Sequence, residues 1–164
     1  MSEHKKNDLG PAETTLPAQL VVSGEDRFNE KHPLGFTLIK FKVATQDTGG
    51  GLFMIEHGNL TRGGPPRHLH HDQDEWFYVL EGEVLIEVGH EKMRMKAGDS
   101  LLAPRKVPHA WAYVGEKPGR MLVAFAPAGK MEAFFREITD SQNVPQDTAL
   151  FSAHGMELVG PPLT

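Results

Sequence analysis

Two histidines two residues apart, with a glutamate five residues further on, are the side chains of this sequence best suited to chemistry. They are His68, His70 and Glu75, in the stretch GGPPRHLHHDQDEWFYVLEG. Side chains at positions i and i+2 of an extended strand project from the same face, so both imidazoles enter one space. The turn-forming residues 72–74 end that strand, and Glu75 can begin another that faces the same interior. Two converging imidazoles and a carboxylate suit a divalent transition metal.

A third histidine, His109, extends this cluster. It follows the segment PRKVP, whose two prolines exclude a central strand, and it begins the strand-like run HAWAYV. His109 and Trp111 share a parity, so both can face inward. Because strands distant in sequence face one cavity in a small antiparallel barrel, three imidazoles and one carboxylate could meet there. His71 has the opposite parity to His70, so we expect it to point outward or to lie behind the ligands.

Short β-rich runs separated by turn residues make up most of the chain. Such runs at close intervals predict an all-β sandwich or barrel of about nine or ten strands. Apart from the histidine strand, the runs cover residues 18–22, 36–43, 51–57, 75–80, 84–88, 93–96, 100–103, 109–114 and 120–126.

The hydrophobic period changes after this β region. Met131, Phe134, Phe135 and Ile138 have the spacing of one apolar face of a helix, which we expect on the outside of the β body. A second short helix is predicted over about 145–154, where Gly155 can stop it. The predicted organisation is therefore a flexible tail (1–17), a β-barrel (18–127) and a helical extension packed on the barrel (128–164).

Composition excludes several classes of function. The 164 residues favour one domain, and the net charge of −5 comes without a basic stripe, which argues against nucleic acid and lipid surfaces as partners. The chain has no cysteine, which excludes disulfides, thiolate metal sites and a cysteine nucleophile. We find neither a signal peptide nor an apolar run of membrane-spanning length, so a cytoplasmic protein is expected.

The first cluster resembles the first motif of the cupin superfamily, which is His-x-His, three or four residues, Glu, six residues and Gly. Here the motif runs through His68, His70, Glu75 and Gly82. The glycine that normally leads the motif is matched only loosely by the pair at 63–64.

Fifteen residues separate Gly82 from Gly98, where the second cupin motif begins, and Pro104 and His109 follow in register. Lys106 stands where this motif usually has a glycine, in the tight turn before His109. Tyr113 stands where it usually has an asparagine. Together the two motifs extend the resemblance over residues 35–127.

This resemblance implies a double-stranded β-helix, the jelly-roll or cupin barrel, with one or two short C-terminal helices. It implies that His68, His70, Glu75 and His109 bind a divalent transition metal, which could be Fe, Mn, Ni, Cu or Zn. It also implies a homodimer in which N-terminal strands pack across the interface. The C-terminal segment resembles single-domain cupins labelled quercetin-dioxygenase-like.

The function expected first is a metal-dependent dioxygenase that acts on a small hydroxylated aromatic or enediol substrate. Glu75 could act as a base, and Phe77 and Trp111 are the expected pocket walls. Two alternatives stay open: a metal-dependent isomerase, lyase or decarboxylase, and a non-catalytic module that binds a small molecule.

The remaining polar side chains have simpler expected roles. Solvated positions are expected for the other histidines, which are His4, His32, His57, His90 and His154. Three cationic residues near the ligand loops, Arg62, Arg67 and Lys106, could contact an anionic substrate.

Overall fold

The structure, a computed structural model, describes residues 17–164, and these form two antiparallel sheets with two short α-helices and a 3-10 helix at Thr45–Thr48. The six-stranded sheet has the order β1-β2-β3-β10-β5-β8, and the five-stranded sheet has the order β11-β4-β9-β6-β7. The elements are β1 (His32–Leu34), β2 (Thr37–Val43), β3 (Phe53–Leu60), β4 (Pro66–His70), β5 (Asp74–Glu81), β6 (Glu83–Val88), β7 (Glu91–Lys96), β8 (Ser100–Ala103), β9 (His109–Tyr113), β10 (Gly119–Ala126), α1 (Met131–Glu137), α2 (Thr148–Ala153) and β11 (Met156–Pro162).

Alternating side chains build the core between the two sheets. In β5, Glu75, Phe77 and Val79 are buried while their neighbours are half-buried, as a strand with one inward face requires. Phe41, Phe53 and other phenylalanines fill the interior without solvent exposure. The predicted all-β jelly roll with short C-terminal helices is confirmed.

The N-terminal run at 18–22 does not form the predicted strand. Residues 17–22 have no regular structure, and Leu20 and Val22 are 88% and 54% exposed. The run has no alternation that would bury one face, and Ser23 and Gly24 follow it directly. Among the described residues, the first strand is β1 instead. Of the predicted flexible tail, residues 1–16 lie outside the described residues.

The C-terminal extension contains a strand as well as the predicted helices. α2 begins at Thr148, because the Asp147 carboxylate accepts hydrogen bonds from the backbone N–H groups of Ala149 and Leu150. β11 contains two prolines, which are tolerated because this strand lies at the edge of its sheet. Because prolines are typical of loops, the sequence did not predict this strand. β11 pairs with β4, the histidine strand.

Both helices cover one end of the barrel, where they contribute to its interior. Met131, Phe134 and Phe135 of α1 and Phe151 of α2 are buried. The rings of Phe134 and Phe151 meet edge to face with their centroids 5.4 Å apart. The predicted external helices therefore close the barrel end that holds the histidines. Within the described part of the chain, no helix is long and apolar enough to cross a membrane.

Candidate metal centre

Strands β4 and β9 bring the three histidines together. In β4, residues Pro66, His68 and His70 are buried and their neighbours are half-buried, so both imidazoles face inward as predicted. His68 pairs with His109 in the register of β4 and β9. The side chain of His71 is 50% exposed, in agreement with its opposite parity.

Glu75 lies at the centre of the three imidazoles. Its Oε2 atom is 2.9 Å from Nε2 of His70, 2.7 Å from Nε2 of His109 and 3.9 Å from Nε2 of His68. One ligand atom from each of these four side chains lies within 4.8 Å of all the others. The structure thus brings together the four residues that the sequence predicted as metal ligands.

Backbone carbonyls orient two of the imidazoles. Nδ1–H of His68 donates to the carbonyl oxygen of Pro66 at 2.8 Å, and Nδ1–H of His109 donates to that of Val107 at 3.1 Å. Each acceptor lies two residues before its histidine. These bonds turn Nε2 of both rings toward the centre, as is usual for metal-binding histidines. Nδ1 of His70 is buried without a hydrogen-bond partner among the described residues.

The turn at 104–108 ties the ligand strands to one another. The Lys106 backbone has φ of +66°, so it keeps the left-handed turn for which the family uses glycine. Its N–H donates to the carbonyl oxygen of His70 at 2.7 Å. Arg105 binds Asp74 with both its backbone N–H and its guanidinium, and Asp74 directly precedes Glu75. This turn therefore holds the ends of β4, β5 and β9 in register.

The electrostatics of the cluster favour a cation. Burial raises the pKa of Glu75, but the charge of His109 and hydrogen bonds from His109 and His70 outweigh it and leave the pKa below its usual range. Burial lowers the pKa of His109, and Glu75 outweighs this effect and raises it overall. Burial, reinforced by the other two histidines, lowers the pKa of His68 to about 3. An ionised carboxylate among imidazoles suits a divalent ion, which would displace the proton of His109.

A second group, formed by Asp26, Glu30 and His32, has suitable ligand types but is already occupied by other contacts. The Asp26 carboxylate accepts hydrogen bonds from three backbone N–H groups, and Arg136 pairs with Glu30. The donor set around Glu75 is the one that fits a transition metal.

A small cavity of about 40 Å³ adjoins the cluster, and its walls are mostly apolar. Trp111 lines it, as the sequence predicted. Phe77 does not line it and packs in the core, with its ring edge to face against His109 at a centroid distance of 6.2 Å. The apolar lining residues are Leu34, Phe36, Pro65, Trp111, Phe125, Met131, Phe134, Phe135, Val144, Phe151 and Met156.

The sequence also matches a known domain family. Residues 56–125, which include all four candidate ligands, match the cupin domain family Cupin_2. The chain therefore contains a cupin domain.

Relatives of this cupin share limited parts of their length with it. MJ1618 of Methanocaldococcus jannaschii is 35% identical over 60 residues, which cover 37% of this chain and 48% of that protein, so the match spans about half of the relative. SCO3923 of Streptomyces coelicolor is 31% identical over 77 residues, covering 47% and 68%. Both relatives are described as uncharacterized. The structure of KdgF from Halomonas sp. superimposes with a TM-score of 0.53 and 23% identity over 60% of this chain and 86% of that one, which shows a shared fold.

Three histidines of this cupin that were predicted to be solvated are buried. His32, His57 and His154 are 5%, 4% and 8% exposed, whereas His90 is exposed and His4 lies outside the described residues. His57 lines the cavity beside the cluster. Burial lowers its pKa to about 4, although the charge of Glu75 acts in the opposite direction. The inward parity of Phe53, Ile55 and His57 in β3 is the sequence signal that could have found it.

The cationic residues considered as anion contacts lie elsewhere in the cupin. Arg67 pairs with Glu87 at 2.6 Å and donates to the carbonyl oxygen of Gly89. Arg62 is exposed and lines surface grooves, and Lys106 is exposed in its turn. Among residues 17–164, no lysine or arginine lines the cavity next to the cluster.

Proposed function

We propose that this cupin is a metal-dependent dioxygenase for a small, uncharged substrate that is largely apolar and carries a hydroxyl group. One observation carries the proposal: the buried His–Glu cluster adjoins a cavity whose other walls are aromatic and aliphatic. A charged substrate would lose its hydration there without a cationic side chain in the described lining to replace it. Dioxygen, which is apolar, suits the same surroundings.

His68, His70, Glu75 and His109 would hold the metal. When bound, the metal would supply a Lewis acid for a substrate oxygen and would activate the substrate toward O₂. The described residues supply the rest: the two carbonyl-held imidazoles keep their Nε2 atoms in place, and Glu75 contributes the negative charge. Its depressed pKa suits an anionic ligand better than a base, so the catalytic role of Glu75 as a proton acceptor stays a prediction.

The cavity limits the size of the substrate. Because one buried water needs a cavity of about 10–15 Å³, this cavity has room for about three waters. A cavity that binds benzene has about 150 Å³, so this one is smaller than a single ring, and a ring substrate would have to move its walls to enter. A three-ring flavonol is far larger, so the resemblance to quercetin-dioxygenase-like cupins supports the reaction class and not that substrate.

Oxygen uptake tests the proposal. The protein, stripped with EDTA and reloaded anaerobically with Fe(II), Mn(II) or Ni(II), would be offered small monocyclic catechols, enediols and β-diketones. We expect O₂ consumption equal to product formation, with both atoms of ¹⁸O₂ in the product. Glu75→Gln should lose the activity, and His71→Ala should keep it. Turnover that persists without O₂ would replace the proposal with an isomerase, lyase or decarboxylase. Substrate binding without turnover under any condition would replace it with a binding module.

A further inference from the structure

His57 is the titratable side chain of the described cavity lining that the metal cluster does not use. It lies in the middle of the six-stranded sheet, on β3 between β2 and β10. Its ring meets Trp111 edge to face at a centroid distance of 5.1 Å and Phe135 at 6.4 Å. Trp111, Phe135 and His57 all line the cavity. His57 therefore faces the space next to the cluster from the opposite sheet to β4 and β9.

The hydrogen-bonding capacity of this imidazole is not used within the described part of the chain. Its Nδ1 atom is buried and has no partner there. A neutral imidazole has one N–H donor and one nitrogen acceptor, and leaving a buried polar atom unpaired is unfavourable. A phenylalanine would fill the same space between Trp111 and Phe135 without that penalty. Packing alone therefore does not explain a histidine at this position.

The side-chain hydrogen-bond acceptors of the described cavity wall, as distinct from the indole N–H donor of Trp111, are found at two places. One is the cluster, represented in the lining by His68, His70 and Glu75, and the other is His57. Among the described lining residues outside the cluster, His57 is the one with a nitrogen or oxygen acceptor in its side chain. A ligand that satisfies both places needs two polar groups separated by an apolar body.

We propose that His57 is a substrate-binding residue, whose ring nitrogen hydrogen-bonds to a second hydroxyl or carbonyl group of the substrate. The substrate class is then a single small ring or enol with two oxygen substituents, one bound at the cluster and one at His57. This inference rests on the proposed function, because it assumes that the first oxygen binds at the metal. It adds a specificity contact that the cupin motifs do not include.

Binding of simple phenols to the Zn(II)-loaded protein tests the proposal without turnover. Phenol has one oxygen, whereas resorcinol and hydroquinone have two that cannot both reach one metal ion. Calorimetry under nitrogen would measure the affinity of each probe for wild type, His57→Phe and His57→Gln. We expect at least one of the two diols to bind wild type about tenfold more tightly than phenol. In His57→Phe that preference should fall to within about twofold while phenol binding is kept, and His57→Gln should keep part of it.

Zinc content and thermal melting of each variant serve as controls for folding. Should His57→Phe fail to fold, His57→Gln and His57→Leu give the same comparison. The proposal is overturned if neither diol is preferred by wild type, or if the preference survives in His57→Phe. Failure of the proposed function would be seen separately, as an absence of O₂-dependent turnover, since this binding test involves no oxygen.

Discussion

The two ends of strand β9 are built in opposite ways. At one end, His109 directs Nε2 at Glu75 in a cluster that fits a cation. At the other end, Tyr113 is 2% exposed and its hydroxyl donates to the carbonyl oxygen of Lys117 at 2.6 Å. Three glycines surround the tyrosine ring, and a methyl group added to any of them would come within 3.0 Å of it. These glycines are Gly82, Gly115 and Gly119.

The two ends of β9 differ in whether the fold itself satisfies their polar groups. The Tyr113 end uses its polar group internally, and its glycines make the space that a large ring needs. The histidine end keeps nitrogen and oxygen atoms directed at one point and leaves nitrogens of His57 and His70 without partners in the described chain. Sites with such unpaired groups are often functional, because a ligand can satisfy what the fold does not.

The largest effect is expected at the tyrosine end. Tyr113→Ala should lower the free energy of unfolding by about 3–5 kcal/mol, because it empties a ring-sized space among the glycines. Tyr113→Phe should cost only about 1 kcal/mol, the value of one hydrogen bond. Urea denaturation with and without EDTA measures both. A greater loss of unfolding free energy in Tyr113→Phe than in Tyr113→Ala would contradict the structural role of the ring. Loss of metal from Tyr113→Phe would contradict the independence of the two ends.

Metal removal should have the next largest effect, and at the histidine end. At a free metal concentration about 100 times Kd, binding stabilises the folded state by about 2.7 kcal/mol, so EDTA should lower Tm by several degrees. His70→Ala should abolish that response, and the exposed His71→Ala should retain it. A wild-type Tm that EDTA does not change would contradict the expected linkage.

Acidification of the EDTA-treated protein should destabilise it through the buried histidines. Burial lowers the pKa of His57 to about 4 and that of His68 to about 3. The unfolded chain therefore takes up these protons first, and stability falls as the pH drops below about 6.5. His109 acts in the opposite direction, because its raised pKa gives stabilisation that is complete below about 6.5 and is lost as the pH rises through the folded-state value.

The variant His57→Gln sharpens this prediction, since glutamine does not titrate. Between about pH 7 and pH 5 its loss of stability should be about 2 kcal/mol smaller than that of wild type. Urea denaturation over that range provides the measurement. Parallel pH profiles for the two proteins would show that His57 does not stay neutral in the fold.

The smallest effect is expected at Lys106, in the turn that leads into His109. Its φ of +66° is unfavourable for a residue with a side chain, so Lys106→Gly should stabilise the protein by about 1 kcal/mol. Lys106→Ala keeps the strain and should give no such gain. Thermal melts of the two variants would distinguish them, and equal stability would mean that the turn is not strained.

Local patterns predicted the centre of this molecule well. Strand parity is a property of neighbouring residues, so His68, His70 and Glu75 could be assigned to one interior from their spacing alone. His109 needed the second cupin motif as well, because no local rule brings residues so far apart in sequence together. The placement of Trp111 in the cavity followed from the same parity.

Features that depend on distant packing were not predictable in this way. β11 forms by hydrogen-bonding to the outer edge of β4, the histidine strand, although its prolines indicate a loop. The apolar face of α1 can be predicted from its period. Its position over the cavity cannot, because that position depends on the open end of the barrel. The predicted strand ends at His57, which indicates a solvated residue, but β3 continues to Leu60 and keeps His57 inside the sheet. The homodimer implied by the family resemblance stays a prediction, which light scattering would test.

Elemental analysis of the untagged protein tests the central claim most directly. We expect about one divalent transition-metal ion per chain in wild type and in His71→Ala, and almost none in His109→Ala, with all three proteins folded by far-ultraviolet circular dichroism. An equal metal content in wild type and His109→Ala would contradict the assignment of these four side chains as one metal centre.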